Sequence, residues 1–153
     1  MSDWLDAARG RFDFLRRVAE LCGCVVRVGT WSAEDWLGGA VAEEKRIFIN
    51  MEQSMGEVAV RWLLEKHGKS RGVDAEACEW ILRTWALLHE LGHVLLLHGR
   101  DGDMMALYEE QANLFARRVL IALLEDHDIS EQGAADLCGR IAQDMTTAPA
   151  RAH

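Results

Sequence analysis

Apolar residues fall at helical spacing between positions 4 and 23, where Trp4, Leu5, Phe12, Leu15, Val18, Ala19 and Cys22 are separated by charges. This pattern predicts an amphipathic helix, with Arg16 and Arg17 on its solvated face. Residues 24–31 are short and β-branched, which predicts a strand. After a break at Gly38 and Gly39, residues 40–42 and 46–50 flank the polar Glu43-Glu44-Lys45 and predict a hairpin. Ser54 with Glu57 forms a capping box for a helix running to about His67, closed by Gly68. A polar loop follows to Asp74, the N-cap of a long helix that reaches Gly99 and buries Ile81, Trp85, Leu88, Gly92 and Leu95. The next helix spans residues 104–124 with Tyr108, Ala112, Phe115, Val119 and Ala122 inward; Glu109 sits at the edge of that stripe, and Glu110 and Arg117 point away. Ser130 caps a last helix to about Met145, and the tail from about residue 146 is expected to be disordered. Together these elements predict an α+β fold: one mostly helical domain over 1–153 with a small, largely antiparallel sheet of about three strands.

Composition narrows the setting. Half the residues are hydrophobic and only one is proline, as in a helix-rich globular chain. The formal charge of −8 argues against direct nucleic-acid binding, and residues 101–153 carry most of it, with ten acids against four arginines. The start of the chain shows no basic segment followed by an apolar run, and no stretch approaches the roughly 18 apolar residues of a membrane span. A cytoplasmic protein without membrane contact is expected. Cys22, Cys24, Cys78 and Cys138 lack metal-site spacing and read as reduced thiols; Cys22-Gly23-Cys24 has two readings, a redox pair and, in preference, a helix-to-strand handover.

The candidate chemistry sits in the long helix, where His89-Glu90-Leu91-Gly92-His93 interrupts an otherwise apolar run. At about 100° per residue the two histidines lie one turn apart on one face, so both can reach a single metal ion. H-E-x-x-H on a helix is a zinc-protease pattern in which the Glu serves as general base. The alternative is a pair of histidines hydrogen-bonded in a core. His98 lies about 140° around from His93, which excludes it as a ligand on the same regular helix and leaves it to interact with the helix C-terminus.

Two linked motifs, His89-Glu90-Leu91-Gly92-His93 and Glu109-Glu110-Gln111-Ala112-Asn113-Leu114-Phe115-Ala116, together with the upstream strand ending Ile47-Phe48-Ile49-Asn50, make residues 24–124 resemble the ImmA/IrrE family of gluzincin-like metallo-endopeptidases. The resemblance implies a zincin-like fold, one catalytic Zn2+ and a helix-turn-helix transcriptional repressor, encoded separately, as protein substrate. Two features depart from the family pattern: the second motif helix continues as Val119-Leu120-Ile121 without a proline exit, and the predicted helix at residues 55–67 is additional material.

Under this reading His89, His93 and Glu109 hold zinc with one position left open for water, and Glu90 takes the proton of that water and returns it to the leaving amine. Helical phase favours Glu109 over Glu110, because it lies roughly 90° rather than about 170° from the centre of the buried stripe. Asn113, one turn beyond Glu109, is expected to orient a ligand histidine. Tyr108, His67 and His127 are the candidates for stabilising the oxyanion. By resemblance, residues 46–50 form the edge strand that pairs with extended substrate. A second reading is a non-catalytic anti-repressor that binds the repressor stoichiometrically, and a third is a toxin with another protein target.

Overall fold

A computed structural model describes residues 3–31, 37–51, 75–99 and 102–147. Its elements are α1 (Asp3–Leu21), β1 (Val25–Gly29), β2 (Gly38–Val41), β3 (Arg46–Asn50), α2 (Ala75–Leu95), α3 (Met105–Glu125) and α4 (Glu131–Thr147). Four helices and one small sheet make the described residues an α+β fold, as the hydrophobic pattern predicts. The helix predicted at 54–67, with its cap and loop, lies outside the described residues, as do Asp74 and the tail from 148. No described helix is long and apolar enough to cross a membrane.

The sheet has the order β1-β3-β2. β2 and β3 form the predicted hairpin, but Gly38 and Gly39 belong to its first strand instead of preceding it. β1 pairs with β3 in parallel, from Val25 opposite Arg46 to Gly29 opposite Asn50, so the sheet is mixed. β3 therefore lies in the middle, which corrects the expectation that residues 46–50 form an edge. It is paired with a strand on each side, so neither of its backbone edges is free for a partner chain, and Ile47, Ile49 and Asn50 are fully enclosed. Asn50 also ties the sheet to its flanks, its carboxamide accepting from Trp31 N–H at 3.0 Å and donating to Trp31 C=O at 3.2 Å.

α2 is the central helix and packs against α1, β2, β3 and α3. Covered on several sides, it buries Ala77, Cys78, Leu87, Leu88, Leu91 and Val94, whereas Ile81, assigned to the inward stripe, is exposed. A single-stripe rule suits a helix resting on one surface and misplaces residues on a helix wedged between several. On α3 the buried set is Ala112, Phe115, Ala116, Val119 and Leu123, close to the predicted phase.

Gly92 is where α2 and α3 meet most closely. A Cβ there would lie 3.0 Å from Cδ1 and 3.2 Å from Cβ of Phe115, a fully buried ring whose Cβ cannot move without its helix. Gly92→Ala gains about 1 kcal/mol of helix propensity but overpacks a core contact, which costs about 1–3 kcal/mol. We expect a net loss near 1 kcal/mol, read as a melting temperature about 2–4 °C lower in thermal unfolding.

α2 also stops earlier than its glycine suggests. The helix ends at Leu95, and the chain turns at Leu97, whose φ of 59° is left-handed. Leu97 N–H bonds to Val94 C=O at 3.1 Å and His98 N–H bonds to His93 C=O at 2.9 Å, the two bonds of a Schellman cap. That cap normally holds glycine, since an L-residue in this region costs about 1–2 kcal/mol. Leu97 is 78% exposed, so its side chain returns little in packing. Leu97→Gly should therefore stabilise the protein by about 0.5–1 kcal/mol after the greater unfolded-state entropy of glycine is deducted, a gain measurable by urea unfolding.

Candidate metal centre

α2 carries His89, Glu90 and His93 on its last two turns, and α3 brings Glu109 across to them. His89 Nε2 lies 3.1 Å from His93 Nε2, 2.9 Å from Glu109 Oε2, and His93 Nε2 lies 3.1 Å from Glu109 Oε1. The ligand atoms of these three residues all fall within 4.8 Å of one another, and the group could hold a metal ion. A tetrahedral ion with bonds of about 2.0–2.1 Å separates its ligand atoms by about 3.3 Å, so the observed triangle fits with small outward shifts. Two imidazoles and one carboxylate supply three ligands; Glu109 is half exposed on a cleft, leaving its open side to a fourth.

Each imidazole is held from behind. His89 Nδ1 is 2.8 Å from Asn113 Oδ1, which fixes the ring with Nε2 turned to the cluster. His93 Nδ1 is 2.9 Å from His98 Nδ1, and His98 Nε2 is 2.7 Å from Gln111 Oε1. Tyr108 stacks on the His98 ring at a centroid distance of 4.2 Å and an angle of 15°. Burial, followed by the neighbouring charge of His89, holds His93 below the ordinary histidine range, and burial does the same for His98. Both shifts favour neutral rings, the form that ligates metal.

Glu90 takes no part in the triangle. It is 7% exposed and lines the same cleft, a space of about 640 Å³ bounded by β2, α2, α3 and the turn at His98. Gly38 of β2 makes room for it: a Cβ there would sit 3.2 Å from both Glu90 Cγ and Oε2. Burial, and secondly the charge of Glu109, push the Glu90 carboxyl up to about 8. A cation at the triangle acts in the opposite direction, toward the carboxylate. The arrangement sets a buried carboxyl in the same cleft as three residues that could hold a metal ion.

The structure brings His89, Glu90, His93, Glu109 and Asn113 together along the cleft and leaves Glu110 exposed and outside its lining. Tyr108 lines the cleft, engaged with His98. His127 does not reach it: it lies beyond the end of α3, exposed, beside a separate cavity with Arg11 and Phe14, so its place among the oxyanion candidates is withdrawn. His67 lies outside the described residues. His98, Gln111 and Gly38 were not read as part of the site. The exclusion of His98 holds only for an unbroken helix; the left-handed turn at Leu97 breaks it and folds the ring back against His93. None of the four cysteines forms a disulfide or lines the cleft; Cys24 is buried with its thiol pushed up to about 11, and Cys22 contacts Cys138 and the Ala135 carbonyl.

Comparison with family models, curated proteins and solved structures gives no match to this chain.

Proposed function

We propose that this chain is a zinc-dependent metallo-endopeptidase, acting in the cytoplasm on a helix-turn-helix transcriptional repressor made as a separate chain. The observation that carries the reading is the convergence of His89, His93 and Glu109 on one point at the floor of a cleft, with Glu90 beside it and one side open. Structural zinc sites are closed by four protein ligands, whereas catalytic sites keep a position free. The choice of repressor as substrate rests on the resemblance of the two helix motifs.

Zinc, when bound, supplies a Lewis acid that makes water a nucleophile near neutral pH. His89, His93 and Glu109 would hold it, and Asn113 keeps His89 turned toward it. Glu90 accepts the proton of the attacking water and passes it to the departing amine. β2 replaces residues 46–50 as the strand that takes the peptide: it pairs with β3 alone among the described residues, and Gly38, Gly39 and Ala40 line the cleft. An extended substrate adding to this edge gains main-chain hydrogen bonds beside the metal position.

The test is to incubate the protein with a helix-turn-helix repressor encoded beside it. Cleavage should stop with a zinc chelator and resume on adding zinc. Intact repressor that co-elutes with the protein would favour stoichiometric anti-repression instead.

A further inference from the structure

We infer that His98 is a positioning residue which, with Gln111, sets the ring tautomer of His93 so that a lone pair on Nε2 faces the metal position. This deepens the metal centre proposed above and depends on it. A neutral imidazole carries one N–H, so two ring nitrogens in contact must be one donor and one acceptor. His93 Nε2 is the atom that faces His89 and Glu109. For that atom to ligate, the hydrogen of His93 must sit on Nδ1, where it points at His98 Nδ1 across 2.9 Å. His98 Nδ1 must then accept, which places the His98 hydrogen on Nε2, and that N–H donates to Gln111 Oε1 at 2.7 Å. Every member has one consistent role.

The reverse assignment shows what the relay controls. Were the Gln111 amide turned over, its NH2 would donate to His98 Nε2, His98 would donate from Nδ1, and His93 would be left with an N–H on Nε2, aimed at the metal position. The amide of Gln111 and the ligand atom of His93 are thus two ends of one hydrogen-bonded chain. Three other features hold its middle link: His98 is 7% exposed, Tyr108 stacks on its ring, and the backbone adopts a left-handed leucine to bring it back. α3 in this way orients both ligand histidines, directly through Asn113 and through His98 from Gln111.

Zinc affinity, measured on the full chain by competition with a chromophoric chelator, tests the inference. His98→Phe keeps a ring for Tyr108 to stack on but removes both nitrogens, and should weaken zinc binding roughly 10- to 100-fold. Gln111→Leu should move in the same direction, while Gln111→Glu, which retains an acceptor, should stay near the parent affinity. Parent-like binding by both His98→Phe and Gln111→Leu overturns the inference. Independently of whether the variants fold, nitrogen-15 NMR of the zinc-loaded parent protein should show His93 protonated at Nδ1 and His98 at Nε2; a hydrogen on His98 Nδ1 overturns it. A protein that binds zinc in this manner yet cuts no repressor refutes the peptidase and leaves the relay intact, whereas a parent chain that takes up no zinc refutes both.

Discussion

Glu90→Gln should retain a full equivalent of zinc and lose roughly 10²- to 10⁴-fold in cleavage rate, the range that a positioned proton-transfer group supplies. The separation of the two effects is the point of the experiment. Glu90 stands beside the triangle of ligand atoms without belonging to it, so removing its charge leaves the three ligands in place. Glutamine has nearly the same shape and fits the space that Gly38 leaves. It also removes a carboxyl that burial already disfavours in its charged form, so folding should be unharmed. Zinc content by atomic emission, measured on the same sample as the cleavage rate, checks both halves; a variant that cuts at the parent rate would remove Glu90 from the mechanism.

His93→Ala should fail in a different way, losing zinc, activity and metal-dependent stability together. A ligand bound to the folded state alone stabilises it by about 4 kcal/mol at a thousand times its dissociation constant. For a chain of this size that corresponds to a melting temperature higher by on the order of 10 °C. The parent protein should show such a rise on adding zinc, and His93→Ala should show almost none. The substitution also leaves His98 Nδ1 without its partner, so some loss of stability is expected even without zinc. An equal thermal response to zinc in both proteins would mean that the ion binds elsewhere.

How much of this was legible in the sequence depends on whether the information is local. The phase of α2 puts His89 and His93 on one face, and the phase of α3 separates Glu109 from Glu110, because a regular helix carries its angular information along the chain. The sheet order is not local. Nothing in the residues of β1 says that it pairs in parallel with β3 and so moves β3 from the edge to the centre. The end of α2 differs from its sequence signal for a related reason: Gly99 offers a good stop, but the chain turns at Leu97, where the contacts of His98 with His93, Gln111 and Tyr108 accompany a left-handed leucine. Those partners lie on another helix. His98 joins the site only through the break at Leu97, and Gly38 only through the packing of β2 against Glu90, and neither contact is local in the sequence.

Anomalous diffraction at the zinc absorption edge, from crystals of the zinc-loaded protein, tests the central claim most directly. One peak is expected about 2.0–2.2 Å from His89 Nε2, His93 Nε2 and a Glu109 oxygen, with its fourth side open to the cleft and Glu90 nearby but not bonded. A peak among the cysteines, one ligated by Glu110, or one closed by a fourth protein ligand would contradict it.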